Sequence, residues 1–213
     1  MSDKRVIAAA VGLVIMTAGA GAVLSRFNRL PSRGSAPFPI HSLGSQPILQ
    51  IELPRDEDDL RAVLSAGDQA ANVRDMRTGN WIDSLLFIPA YAGLLAAIGV
   101  LLRRHSAAEF RAVVVTALLL VPVIAVCDWV ENSGISQTLD HFETSSGPHA
   151  GDAARIAYPS LAKWLLVTIV LLVYGIAAVA EPPVWRRGIG VLLLVFGAVL
   201  TSTLVRYGLE RWG

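Results

Sequence analysis

Charge is scarce in this chain. Of its 213 residues, 16% are charged and 54% apolar, whereas soluble domains carry about 25% charged residues. A single cysteine, Cys127, excludes an internal disulfide and a CxxC redox pair, and with them a disulfide-generating membrane oxidoreductase. The four histidines show no HxxxH or HExxH spacing. His141 and His149 lie outside the apolar runs, and His41 and His105 fall on opposite sides of the membrane in the topology argued below, which speaks against bis-histidine haem ligation. Gly-rich phosphate loops, a Gly-x-Ser-x-Gly elbow, nucleic-acid motifs and long basic blocks are missing. A net charge of +1 provides no general affinity for polyanions. Asp83, Asp128 and Glu131 with His141 or His149 have the chemistry for a hard or borderline cation, but their spacing does not require one. No metal, cofactor or nucleic acid is expected.

What the chain has in quantity is long apolar runs. Val6–Leu24, Leu85–Leu102, Ala112–Val130, Leu161–Ala180 and Gly188–Val205 are nearly free of charge and 18–20 residues long. That is about the length a helix needs to cross a hydrocarbon core. A backbone there must satisfy its own hydrogen bonds, so each run is expected to be helical. The fold class expected is an all-α integral membrane bundle of four transmembrane helices over 81–213, with an N-terminal anchor or signal helix over 1–25. The first run has a basic start and small residues at Ala18–Ala22, which also suits a cleavable signal peptide. Its apolarity continues through Val23 and Leu24, which favours a retained anchor.

Lys and Arg near membrane ends mark the cytoplasmic side. Lys4, Arg5, Arg103, Arg104, Arg111, Arg186 and Arg187 fall on one side if there are five crossings. That side holds seven basic and three acidic residues, and the other eleven and fourteen, a balance of +4 against −3. Arg26, Arg29 and Arg33 dissent and are outvoted. The resulting expectation is a multi-pass protein of the bacterial inner membrane, with a cytoplasmic N-terminus and an extracytoplasmic C-terminus.

Between the first two runs lies the one sizeable extramembrane segment. Residues 26–47 read as a Pro/Ser-rich linker. Ile48–Leu53 reads as a short strand or extended element. The acidic run Asp56–Asp59, with Leu60, Val63 and Leu64 behind it, predicts a helix starting near Pro54. A second helical stretch is expected from Ala66 to Arg77, broken by Gly79 and Asn80 before Trp81. The segment is too poor in apolar residues to build its own core. Residues 48–80 are therefore expected to form a small extracytoplasmic strand/helix lid. Ser133–Ser160 reads as an outward loop in which Ser136–Phe142 continues the preceding helix, with Ser160 capping the next. Pro182 and Pro183 predict a tight turn between the last two helices.

The scarce charges gather at one end of the runs. Asp83, Asp128, Glu131, Asn132, Lys163 and Arg206 all lie at the outer edges, where ionisable groups are expensive unless paired or wet. In Asp128-x-x-Glu131-Asn132 the spacing puts three polar side chains on one helical face. Two carboxylates so close repel unless a cation lies between them, and Lys163 enters the next helix at the same level. For this motif alone, an ion-paired helix-end network that fixes packing and register is the leading reading, ahead of a ligand or catalytic role. Asp83 also suits a helix start, and Trp81 an interfacial anchor. The Tyr91 hydroxyl would lie about two turns into the membrane and needs a partner. Tyr174 would lie deeper on the Lys163 face. Pro89 and Pro122 should disturb their helices. Arg206 could join the cluster or snorkel outward.

The order of these elements resembles a type of small bacterial multi-helix membrane protein to which no activity attaches. The matching residues are Ile51-Glu52-Leu53, the amphipathic Asp56–Leu64, Asp83 with Phe87 and Tyr91, Asp128–Asn132, and Lys163. The resemblance covers residues 48–205, implies a membrane bundle and carries no reaction. On the residues alone, the leading expectation is a binding or accessory protein. Asp83, Tyr91, Asp128, Glu131, Asn132, Lys163 and Arg206 would ring a polar pocket for the head of a lipid-like or isoprenoid molecule. The first alternative is a lipid or isoprenoid enzyme with a carboxylate general acid. The second, a small proton-coupled transporter, is disfavoured by the lack of an internal repeat and of deep charge. Membrane lipids are the partners implied.

Overall fold

Four helical stretches are long and apolar enough to cross a membrane: Gln69–His105, Ala108–Ser145, Asp152–Val179 and Arg186–Gly208. A shorter apolar helix covers Val11–Leu24. The computed structural model describes residues 3–27, 51–145, 147–180 and 184–212. Its elements are α1 (Asp3–Phe27), α2 (Glu57–Leu64), α3 (Gln69–Ile82), a π-helical turn (Asp83–Phe87), α4 (Ile88–His105), α5 (Ala108–Ser145), α6 (Asp152–Val179) and α7 (Val184–Trp212). The described residues include no strand. Most of the Pro-rich linker, Ile48–Gln50 of the expected strand, and the Pro182–Pro183 turn lie outside them.

Consecutive helices pack as neighbours, α4 on α5, α5 on α6 and α6 on α7, while α1 lies against α4 and the π turn. Gly93 faces Leu13 and Gly21 faces Phe87, so α1 runs antiparallel to α4. Leu102, Val114, Val121, Ile124, Val170 and Tyr174 are among the residues of the membrane core. Large apolar residues face outward along every span, among them Leu119, Ile169, Val191 and Phe196, as a lipid-facing surface requires.

A second apolar core lies at the end of the bundle away from the α4–α5 turn. Ile51, Leu60, Val63, Leu64, Val73 and Met76 pack with Ile135, Leu139 and Phe142 of α5 and Ala153 and Ile156 of α6. Residues 51–76 thus form a cap that borrows about half its core from the bundle. Helix α2 starts at Glu57, three residues past the expected Pro54. The Asp56 carboxylate accepts from the Asp58 and Asp59 amides, and Leu60, Val63 and Leu64 are buried. Gly67, at φ 70°, makes the turn into α3 that a side chain would strain. Asn72 locks that turn by donating to the Leu64 and Ala66 carbonyls.

Four local expectations are corrected. Ile51 and Glu52 are helical, not extended; Ile51 is fully buried in the shared core. Gly79 and Asn80 do not break the chain, because the Asn80 amide donates to the Asn132 carbonyl and the Ser136 hydroxyl, so α3 continues into the membrane. Helix α5 runs to Ser145, and α6 begins at Asp152, so Ser133–Ser160 is mostly helix. Ser160 is therefore an interior residue, fully buried, and the helix start is organised by Asp152 instead. The π turn ends two residues before Pro89. A proline ring clashes with the carbonyl four residues earlier, and widening the turn relieves that clash.

Candidate functional site

The two cores meet at a polar layer, and the candidate site lies there. Lys163, one turn past Pro159 on α6, is 5% exposed. Its ammonium is 2.8 Å from Glu131 Oε2 and 2.9 Å from Asp128 Oδ1, both on α5. A third carboxylate, Glu52 of the cap, is 3.6 Å away. The other Asp128 oxygen accepts from the Tyr91 hydroxyl of α4 at 2.6 Å, which supplies the partner that Tyr91 needs in the membrane. Trp164 donates its indole N–H to Glu52 Oε2 at 3.1 Å, and the Lys163 ammonium lies 5.1 Å from the Trp164 ring centre.

Asn132 turns to the other side of α5. Its amide donates to Asp83 Oδ2 at 2.7 Å and to the Ser84 hydroxyl at 2.9 Å, and the Trp129 indole donates to the Ser84 carbonyl. Asp83 therefore joins the layer through Asn132 rather than through Lys163. The three- and four-residue spacings on α5 split between two neighbours: Asp128 and Glu131 face α6, and Asn132 faces the π turn.

Arg206 is a correction. Gly197 of α7 lies against Leu172 of α6. Nine residues further along each antiparallel helix, Arg206 is level with Lys163. Its side chain is nevertheless exposed, and among the described residues no ion pair connects it with the cluster. It lies at the expected depth on the wrong face, as snorkelling residues do. Trp81, Trp129 and Tyr158 are also exposed at this end, which suits an aromatic belt at the membrane boundary.

Three side chains of the layer escaped the sequence reading. Glu52 lies in a segment read as strand. Trp164 follows Lys163 with nothing to set it apart, and Asn80 was read as a breaker. Only Glu52 carried a signal, an acid inside an otherwise apolar stretch. His141 and His149, considered for a cation with Asp128 and Glu131, are occupied elsewhere. Their rings stack at 3.7 Å, and Asp152 holds them through a 2.7 Å contact to His141 and a bond from the His149 amide.

The cluster has one ammonium for three carboxylates. The ammonium donates to Asp128 and pairs by charge with Glu131 and Glu52, leaving a formal charge of −2. Burying that charge unbalanced is prohibitive, and a proton at the cluster lowers the cost. Burial raises the Glu52 carboxyl above its ordinary range; Asp128 adds to the rise, while Lys163 and the Trp164 hydrogen bond oppose it. Chemically, the arrangement can hold a proton at the membrane boundary and present an ammonium and an indole N–H to a polar group.

Four apolar helices closed by a helical cap define a multi-pass integral membrane protein. No family model, curated protein or solved structure matches the chain.

Proposed function

We propose that this is a binding or accessory protein of the bacterial inner membrane. Its capped, outward-facing polar layer receives the head of a lipid-like molecule. The observation that carries the reading is the contact of Glu52 with Lys163. A cap residue closes on a buried charge cluster at the membrane boundary, with an apolar core directly beneath. A buried ion cluster is weak support for stability, since hydrophobic replacements are often neutral or better. Its cost is more readily explained by a ligand that uses it. Native mass spectrometry in mild detergent tests this. The wild type is expected to retain an amphiphile that Trp164→Phe, which removes the indole donor, holds less firmly. A wild type free of amphiphile in every detergent that preserves the fold would overturn the reading.

The carboxylate surplus favours a second reading, an enzyme of lipid or isoprenoid chemistry in which a cluster carboxyl donates a proton. A proton-coupled transporter is less well supported. Below the cluster, the polar side chains buried among the described residues are Thr168, which bonds its own helix, the Tyr174 hydroxyl and, at the α4–α5 turn, Ser106.

A further inference from the structure

We propose that the Glu52 carboxylate is an internal stand-in for the ligand, and that the ligand's head is a carboxyl, as in a long-chain fatty acid. This rests on the reading of the layer as an amphiphile site and names the chemistry it takes. Of the three acids on Lys163, Glu52 is the one that can leave. It belongs to the cap and not to a spanning helix, and it lies 3.6 Å from the ammonium, against 2.8 and 2.9 Å for its rivals. Its side chain is 15% exposed, while those of Glu131 and Asp128 are 1% and 5% exposed. Trp164, which bonds Glu52, is half-buried, and Leu165, next in the chain, is exposed.

When Glu52 withdraws, it leaves the indole N–H of Trp164, which donates to its Oε2, and the Lys163 ammonium 3.6 Å from the same oxygen. An incoming group must accept from both. It must also leave the charge of the layer as it was, because Asp128 and Glu131 already exceed what Lys163 balances. A carboxyl meets both conditions, replacing one carboxyl by another with the same charge and the same capacity for the shared proton. A phosphate dianion would add negative charge beside two buried carboxylates. An ammonium head would strand both donors, and an alcohol would leave Lys163 with two carboxylates and a weaker third partner.

Binding of palmitate to the full chain in phosphatidylcholine nanodiscs tests this, with palmityl alcohol and dodecylamine as comparison probes. If the Glu52 carboxylate occupies the site most of the time, Glu52→Ala should bind palmitate about tenfold more tightly than the wild type, since the competitor is gone. Palmityl alcohol and dodecylamine should gain less. Glu52→Gln preserves the shape of the cap and should show the same order of preference. Adding Trp164→Phe to Glu52→Gln should reduce the palmitate gain. Equal gains for palmitate and the alcohol, or no gain for palmitate, would overturn the carboxyl assignment. If dodecylamine or a zwitterionic lipid then bound in a Glu131-dependent way, the amphiphile site would stand and the carboxyl head alone would fall. If no amphiphile bound to any variant, both would fall.

Discussion

Lys163 is the residue on which the polar layer depends. Its side chain is 6% exposed and contacts carboxylates from the cap and from α5. Replacing it with methionine leaves Asp128 and Glu131 buried without a cation, a loss on the order of 3–5 kcal/mol. The melting temperature of Lys163→Met in detergent should fall accordingly and recover partly in acid, where protonation removes the stranded charge. An unchanged melting temperature would mean that the ion pairs contribute nothing net. Tyr174 is the opposite case. Its hydroxyl is buried without a hydrogen-bond partner among the described residues, and its ring lies against Gly99. Tyr174→Phe should therefore be neutral or stabilise, by at most about 1–3 kcal/mol. Gly99→Ala should cost about 1–3 kcal/mol, because a methyl there runs into the ring and Leu118. Thermal denaturation of both variants checks the pair, and a Tyr174→Phe loss as large as that of Gly99→Ala would reveal a partner for the hydroxyl.

The cap is held by an apolar core, by surface charge pairs and by the Glu52 carboxyl. Helix α2 contributes Leu60, Val63 and Leu64 to the shared core. Glu57 accepts from the Gly151 amide, and Arg77 of α3 pairs with Asp140 and Glu143 of α5. Glu52 adds the contact with the buried Lys163 ammonium. Its carboxyl is raised in the folded protein, chiefly by burial, so the folded state binds its proton more tightly than the unfolded chain. The stability it contributes is fully present below the ordinary glutamate value, about 4.3. That stability is lost as pH rises through the raised value. Amide protection across Glu57–Leu64, corrected for intrinsic exchange, should fall over that interval, and Glu52→Gln should flatten the fall. The same pH slope in both proteins would place the titration on another group. The π turn serves the same assembly. It lets the chain pass Pro89 while keeping Asp83 and Asn80 on the side of α5.

At the scale of the molecule, two apolar cores, one in the membrane and one in the cap, enclose a polar layer at their junction. The proposed orientation has the cap outside and the Arg103–Arg111 turn in the cytoplasm, following the +4 against −3 charge balance and the rule that basic residues stay inside. A cytoplasm-only reporter should be active when inserted at His105 and silent when joined after Trp212. The reverse pattern would invert the proposal and place the polar layer inside. The sequence alone determined the all-helical membrane class. Runs of 18–20 apolar residues leave a backbone without water no other way to satisfy its hydrogen bonds. It also placed Asp83, Asp128, Glu131, Lys163 and Arg206 at one end, because depth along a helix follows from counting residues. The face each one presents to its neighbours was not determined. That depends on helix rotation, which packing sets: Lys163 turns inward, Arg206 at the same depth turns outward, and Asn132 turns from Lys163 to Asp83. The cap lay further from view. Ile135, Leu139 and Phe142 are too few for a core by themselves, and so are Leu60, Val63 and Leu64. Only when tertiary contact joined the two stripes did they bury each other and bring Glu52 to Lys163, 111 positions away in the chain.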